Sequence, residues 1–432
     1  MKHIAIIGSG ISGLSAAWRL KDKCRIRVYE AQERLGGHTH THAVPDATGK
    51  QLAIDSGFIV FNDWTYPRFI ALLNELGVES QPSDMSFAVK CERTGLEYNG
   101  TSLNSLFAQR RNLLKPSFWG MVRDILRFNR EGTEWLKTAH ADAADTLGDF
   151  IARHRFSQLC VDKYILPITA AIWSASPSDV LKMPLRFYLR FCANHGMLSV
   201  DKRPLWRVVK GGSRSYVDKI RAALGDGVFR LADPVLSLRR LPQGGVEVTS
   251  KSGVETYDGV VIACHSDDAL KLWGEHATPL ERDILGALPY QRNEAVLHRD
   301  ASLMPKCRLA WAAWNYHVLA AERPTEGPVA LTYNMNILQS LPSDETWLVT
   351  LNNSAAIDPT KVVRKIEYHH PVFTLTGIRA QERWSEISGP AGVHYAGAYW
   401  RFGFHEDGCM SGERAAEQIS GSEGVGSKGV NS

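Results

Sequence analysis

The sequence predicts an α/β fold that begins with a dinucleotide-binding unit, and three features near its start support this. A β-branched strand at residues 4–7 runs into glycines spaced Gly8-x-Gly10-x-x-Gly13, and an apolar helical pattern follows. A second strand then ends at Glu30. In such units the glycines allow a tight turn, a close approach to a pyrophosphate and helix–strand packing, while the acid binds ribose hydroxyls. The alternative is a glycine-rich turn in an α/β protein that binds no nucleotide.

The residues after Glu30 distinguish among nucleotide cofactors. The chain continues as Glu30-x-x-x-Arg34-x-Gly36-Gly37, with no second crossover helix. This pattern resembles the flavin-containing amine oxidase superfamily, which includes phytoene-desaturase-like enzymes. The resemblance implies FAD as cofactor, with Glu30 on the adenosine ribose and Arg34 and the paired glycines near the pyrophosphate. The cofactor-binding residues that it implies in this segment are Gly8, Gly10, Ser12, Gly13, Glu30, Arg34, Gly36, Gly37 and His38.

Three alternating histidines follow the glycine pair. His38 stands where the superfamily usually has Arg or Lys, and His40 and His42 come after it. Alternating side chains lie on one face of a strand, an arrangement that suits metal ligands. No cysteine or acidic cluster lies nearby to complete a site, and a loop beside a phosphate explains His38 equally well. We therefore predict no metal.

Length and composition predict two soluble domains. The 432 residues exceed the size at which a single core stops growing. A net charge of +4 is too small to indicate a nucleic-acid partner. The seven cysteines are scattered and form no Cys-x-x-Cys pair, which is typical of reduced thiols in a cytoplasmic protein. We expect no secretion signal and no membrane span, since no apolar stretch approaches about 18 residues.

Further segments resemble the superfamily and predict its two-domain architecture. Residues 52–60 resemble the Asp-x-Gly segment, which puts Asp55 and Gly57 beside the flavin, and residues 209–213 resemble the return to the flavin domain. A meander of short strands follows, and the resemblance implies a backbone contact of Val235 with adenine. We predict a Rossmann-like FAD-binding domain with an inserted α+β substrate domain. The FAD-binding domain comprises residues 1–62, 205–285 and 385–420, the substrate domain residues 63–204 and 286–384, and the flexible tail residues 421–432.

The last motif, at residues 393–408, occupies the place of the superfamily's C-terminal flavin motif. Gly397 is followed by Ala398, where the superfamily usually has an acid. We expect a helix from about Cys409, opened by Gly408, with its N-terminus directed at the flavin. The cofactor contacts implied here are Gly397 and Gly408. The candidate catalytic residues are Tyr399 and Trp400, as part of an aromatic cage, and His405 and Glu406, as a base or as capping residues.

Residues 110–130 predict a basic amphipathic helix. Arg123, Arg127 and Arg130 share one face, and Phe118, Trp119, Ile125 and Leu126 are apolar. Such a helix binds an anionic membrane surface. A solvated helix face over the core is the alternative.

Three functions remain open. An apolar helical region favours an FAD-dependent desaturase acting on an unsaturated or methyl-branched acyl chain. The alternatives are a flavin amine oxidase acting on a small amine with O2, and a flavin-binding protein without turnover. The chain also resembles a bacterial group known only as NAD/FAD-binding proteins, often encoded beside cyclopropane-fatty-acid-synthase-like methyltransferases. That resemblance implies a lipid methyltransferase partner. The basic helix at residues 110–130 predicts that a cytoplasmic protein contacts the inner face of the membrane.

Overall fold

The computed structural model describes residues 1–138, 144–320 and 329–421. The predicted tail therefore lies, from residue 422 onward, outside the described residues. Within them the strands are β1 (His3–Ile7), β2 (Arg25–Tyr29), β3 (Thr41–Pro45), β4 (Gln51–Asp55), β5 (Val60–Asn62), β6 (Ser80–Pro82), β7 (Phe87–Cys91), β8 (Glu97–Asn99), β9 (Trp206–Val209), β10 (Phe229–Arg230), β11 (Val235–Arg240), β12 (Val246–Ser250), β13 (Gly253–Tyr257), β14 (Gly259–Ile262), β15 (Tyr290–His298), β16 (Trp314–Val318), β17 (Ala330–Asn334), β18 (Leu348–Leu351), β19 (Val362–Pro371) and β20 (Val393–Tyr395).

The described residues also form sixteen α-helices. They are α1 (Ile11–Leu20), α2 (Pro67–Leu76), α3 (Leu103–Leu106), α4 (Pro116–Lys137), α5 (Leu147–His154), α6 (Gln158–Cys160), α7 (Leu166–Trp173), α8 (Pro177–Lys182), α9 (Leu185–Asn194), α10 (Arg214–Leu224), α11 (Ser266–Trp273), α12 (Pro279–Gly286), α13 (Met335–Leu338), α14 (Leu375–Glu382), α15 (Trp384–Ile387) and α16 (His405–Ser420).

A five-stranded parallel sheet carries the nucleotide-binding motifs. Its order is β10-β2-β1-β14-β20. Alternate residues of β1 pack into different cores, with Ile4 and Ile6 on the side of α1 and α16 and Ala5 and Ile7 on the side of α11 and α12. A strand buried on both faces must be apolar throughout, which explains the unbroken run after His3. The predicted α/β fold class is confirmed.

A second, seven-stranded sheet has the order β19-β15-β18-β17-β16-β7-β8. Only the β16–β7 pair is parallel, and the other pairs are antiparallel. Helices α4 to α9 share one hydrophobic core with this sheet. The remaining strands form the meander β11-β12-β13, the sheet β5-β9-β6 and the pair β3-β4.

The C-terminal helix begins earlier than the sequence predicts. The predicted start at Cys409 is wrong, because α16 begins at His405. The Asp407 carboxylate accepts the backbone N–H of Phe404 at 3.0 Å. This hydrogen bond caps the helix, so that its first residue lies four positions before Cys409. Gly408 therefore lies inside the helix, where a Cβ atom would come within 2.6 Å of the Ile11 side chain. Its absence lets α16 pack closely on α1.

All seven cysteines are free thiols. Across the described residues, no helix combines the length and the apolar character needed to cross a bilayer.

Candidate active site

A cavity of about 1210 Å³ extends from the glycine turn after β1 to helices α4, α7 and α9. Gly8 adopts φ +99°, which lets the chain turn sharply at the end of β1. A Cβ atom at Gly13 would lie 2.0 Å from the Gly8 carbonyl oxygen, so this position is closed to any side chain. A Cβ atom at Gly10 would meet no atom within 4 Å, because Gly10 borders the open cavity.

Most of the predicted site residues lie in the wall of this cavity. Glu30 is held in place there, since its carboxylate accepts the backbone N–H and the hydroxyl of Ser9 and the N–H of Gln32. The predicted residues that the structure brings together in the wall are Gly8, Gly10, Ser12, Glu30, Gly36, Gly37, His38, Gly57, Val235, Gly397, Tyr399 and His405.

Two predicted cofactor contacts lie behind the wall. The Arg34 guanidinium donates to the carbonyl oxygens of Gly37 at 2.8 Å and Thr39 at 3.1 Å, so it shapes the glycine loop from outside. Asp55 accepts hydrogen bonds from the Thr41 hydroxyl and from the backbone and hydroxyl of Ser213. Burial raises the pKa of Asp55 to about 6. Both residues are placed to position the loops that border the cavity, and neither lines it. Gly13 and Gly408 do not line the cavity either, and each allows α1 to pack closely against a neighbouring segment.

His405 belongs to a buried hydrogen-bonded network at the cavity wall. Its ring stacks on Phe58 with centroids 3.5 Å apart, and its Nε2 lies 2.8 Å from the Tyr216 hydroxyl and 3.3 Å from that of Thr39. Burial lowers the pKa of His405 to about 3. The imidazole is therefore neutral at physiological pH.

Glu406 faces away from the cavity. Its two carboxylate oxygens accept the backbone N–H groups of Arg68 and Phe69 at 3.0 and 2.9 Å, and these are the first free donors of α2. Burial raises the pKa of Glu406 to about 7 and that of Asp407 to about 6. Of the two roles that the sequence allows for Glu406, this geometry matches capping.

Tyr399 and Trp400 take different positions. Their ring centroids are 5.0 Å apart, but only Tyr399 lines the cavity. Tyr399 also meets Tyr290 edge to face at 6.1 Å. Among the residues that the structure describes, none lies in hydrogen-bonding geometry with the buried Tyr399 hydroxyl or the buried Trp400 indole nitrogen.

A group of aromatic side chains that the sequence motifs do not reveal lies beside the glycine loop. This histidine–tyrosine cluster consists of His38, His265, Tyr290, Tyr368 and His370, all in the cavity wall. His38 stacks on Tyr368 at 5.1 Å, and its ring lies 5.6 Å from His370 and 5.9 Å from His265. Burial lowers the pKa of all three histidines, that of His370 to about 4. The rings are thus uncharged at neutral pH.

His40 and His42 border this cluster, since the His40 Nδ1 lies 3.4 Å from the Tyr368 hydroxyl. Their rings lie 4.0 Å apart, and the His42 Nε2 lies 2.8 Å from the Ser56 hydroxyl. Because His38 faces the cavity, the three alternating histidines do not converge on one point.

The far end of the cavity is apolar. We call its helical wall the roof, formed by Val122, Ile125, Ile168, Ile172, Trp173 and Phe191. The carboxylates that line the cavity within the described part of the chain are Glu30, directly after β2, and Asp268, in α11. β2 is a strand of the parallel sheet and α11 packs against that sheet, so both acids lie outside the roof.

The residues at the near end fit FAD. Gly10 is the residue before α1 and offers no side-chain cap, so the first N–H groups of α1 are free to bind an anion. The open space at Gly10 gives a pyrophosphate room to approach them. Glu30 and Val235 line the same cavity and suit ribose hydroxyls and an adenine edge.

Comparison with known proteins agrees with this geometry. Residues 11–301 match the family described as flavin containing amine oxidoreductase. An L-amino acid dehydrogenase from Synechocystis sp. is 26% identical over 264 residues, which cover 57% of this chain and 52% of the relative. The chain thus spans about half the length of that relative.

Solved structures share the whole fold at low identity. Cyclohexylamine oxidase from Brevibacterium oxydans superimposes with a TM-score of 0.71 and 19% identity, covering 97% of this chain and 99% of that one. A conjugated-linoleic-acid-producing fatty acid isomerase from P. acnes gives a TM-score of 0.67 and 14% identity, covering 98% of each chain. The segment that matches the family, residues 11–301, exceeds half of the sequence and includes Gly13, Glu30 and the glycine pair Gly36-Gly37. The chain therefore belongs to the flavin-containing amine oxidoreductase family, whose members are FAD-dependent oxidoreductases.

Proposed function

We propose that the protein oxidises an apolar substrate at a C–H bond, and that this substrate is an unsaturated or methyl-branched fatty acyl chain of a lipid. The observation that carries the proposal is the roof, an acid-free apolar wall continuous with the flavin site. Bound FAD supplies the two-electron oxidant, so the protein must orient the C–H bond, exclude water and accept a proton. A substrate supplied by a lipid methyltransferase fits this scheme, because a methyl branch stabilises an electron-poor allylic carbon.

The roof orients the chain through shape and apolar contact. Trp173 and Phe191 pack against each other at 4.6 Å, and the Trp173 indole donates to the Phe402 carbonyl at 3.1 Å. These rings are fixed before any substrate arrives, which keeps water away from the reacting carbon. Burying each CH₂ group of an acyl chain there contributes about 0.8 kcal/mol.

His405 and Tyr399 are the predicted catalytic residues that reach the cavity, and we propose His405 as the proton acceptor. Its neutral ring carries one nitrogen lone pair, and the contacts of Nε2 with the Tyr216 and Thr39 hydroxyls fix its orientation. The neutral histidines of the histidine–tyrosine cluster are the alternative acceptors. Glu406 is less suited, since both of its oxygens are occupied by α2.

We further propose that the enzyme works at a membrane surface. Leu114 and Trp119 are 88% and 47% exposed on the segment that the sequence predicts as a basic helix. Arg123 and Arg130 are further basic residues of α4, and Arg130 forms a surface ion pair with Glu131 at 2.7 Å. Arg127 serves the fold instead, because it pairs with Asp124 at 3.0 Å and lies over the Phe156 ring at 4.5 Å.

Product analysis tests the proposed reaction. FAD-loaded enzyme is incubated with phospholipid vesicles carrying a methyl-branched monounsaturated chain, and the released acyl groups are analysed by mass spectrometry. We expect a product lighter by two hydrogens. The matched control is the Ile172→Arg variant, which places a charge in the roof while leaving the flavin contacts intact. Unchanged acyl chains with the wild-type enzyme, or equal conversion by Ile172→Arg, would contradict the proposal.

Amine oxidation is the second candidate, and the aromatic group around Tyr399 favours it. Tyr399, Tyr290 and His265 are neighbours in the cavity wall, and such uncharged rings suit an amine approaching a flavin. Peroxide release on addition of primary amines, with no change in lipid chains, would select this function.

A further inference from the structure

The cavity opens to solvent at an apolar rim. Leu103, Leu126 and Val200 are 75%, 52% and 58% exposed, yet all three line the cavity. An exposed residue in a cavity wall marks an opening, so we call these three residues the mouth. They come from α3, α4 and, more distant in the sequence, the loop after α9.

Three polar side chains lie in the cavity wall contributed by α4, the π-helical turn before α7 and the loop after α9. Asn129, Tyr164 and Arg203 all line the cavity. Within the residues that the structure describes, none of them forms a side-chain hydrogen bond or an ion pair. Arg203 is exposed and acts electrostatically on the Tyr164 hydroxyl, opposing the effect of burial on its pKa. A cation, a hydroxyl and an amide are thus left available in the cavity wall.

The loop that carries Arg203 is built to a fixed shape. Gly196 adopts φ +66°, and a Cβ atom there would lie 2.8 Å from the Lys202 carbonyl oxygen and 3.2 Å from the Arg203 Cα atom. Only glycine permits this approach, which brings the chain at Arg203 against the end of α9. Lys202, its neighbour, does not line the cavity. The position of Arg203 in the wall is therefore a property of the fold.

We propose that Arg203, assisted by Tyr164 and Asn129, binds the anionic end of the acyl substrate at the mouth. A guanidinium binds a carboxylate or a phosphate through two parallel hydrogen bonds, and a hydroxyl and an amide complete such a site. With the anion held there, the acyl chain extends along the roof toward the flavin. This inference rests on the proposed function, and it adds a charge requirement at one end of the substrate.

Ligand binding to the FAD-loaded enzyme tests the site. Calorimetry with oleate and with methyl oleate compares the same chain with and without its charge. We expect Arg203→Gln to raise the Kd of oleate about tenfold, the loss of one charge-assisted contact, and to leave that of methyl oleate unchanged. Arg203→Lys restores part of the loss, and Lys202→Gln serves as the matched control. An unaltered flavin spectrum shows that each variant is folded.

A second experiment measures binding to phosphatidylglycerol and phosphatidylcholine vesicles and distinguishes a lipid phosphate from a free carboxylate as the anion at this site. If Arg203→Gln weakens binding to both phospholipids but not to oleate, the site accepts a lipid phosphate, and the proposal stands. Equal weakening for oleate and its methyl ester, or none for any probe, would overturn it. If oleate binds through Arg203 but is never oxidised, the anion site stands and the proposed reaction is wrong.

Discussion

The Gly10→Val substitution should weaken FAD binding without lowering the stability of the apoprotein. Gly10 has φ −65° and ψ 177°, which any residue adopts without strain, and its Cβ position meets no atom within 4 Å. A valine there costs the apoprotein little. It does occupy the space through which a pyrophosphate must reach the first N–H groups of α1.

The expected loss follows from those contacts. Each hydrogen bond to a charged group is worth about 1.5–3 kcal/mol, so losing two of them weakens FAD binding by about two to four orders of magnitude. Flavin fluorescence quenching on titration of apoprotein measures the Kd, and thermal unfolding of apoprotein measures the effect on the fold. Gly227→Val is the matched control, because a Cβ atom there also meets nothing within 4 Å but lies outside the cavity wall.

Retention of wild-type FAD affinity by Gly10→Val would refute the placement of the pyrophosphate. A lower unfolding temperature of its apoprotein than of Gly227→Val apoprotein would mean that the glycine serves the turn itself.

Two further predictions concern charge. Burial raises the pKa values of Glu406 and Asp407 to about 7 and about 6, above their unfolded values, so the stability they contribute is complete below about pH 4 and is lost as pH rises through 6 to 7. The Glu406→Gln variant should reduce the change in the free energy of unfolding over this pH window by up to about 3 kcal/mol, as measured by urea denaturation. An unchanged pH slope would contradict this. The double variant Arg123→Gln, Arg130→Gln should bind anionic vesicles more weakly, by about 1 kcal/mol per replaced residue. The difference should decrease at high salt. Equal sedimentation of variant and wild type with the vesicles would indicate that this helix face only contacts solvent.

The nucleotide-binding half could be predicted from sequence because its signals are local. A parallel strand buried on both faces, a glycine turn and an acid at the next strand end all lie within thirty residues. Each of them follows from backbone geometry alone.

The substrate half could not be predicted in the same detail, because its site is assembled from distant segments. His38 meets Tyr368 and His370 across more than 300 residues, and no spacing within either segment indicates the contact. The role of Glu406 was equally hidden, since the helix that it caps begins at Pro67. The helix start at Cys409 was misplaced because the capping acid, Asp407, follows the first helical residues.

Anaerobic reduction of the holoenzyme is the most direct test of an apolar acyl chain as hydrogen donor. Vesicles of methyl-branched unsaturated phospholipid and a panel of primary amines are mixed separately with enzyme under stopped-flow observation of the flavin absorbance. We predict bleaching with the lipid and none with the amines. Bleaching by an amine alone would establish an amine oxidase, and no bleaching with either panel would contradict the proposed reaction and favour a flavin-binding protein without turnover.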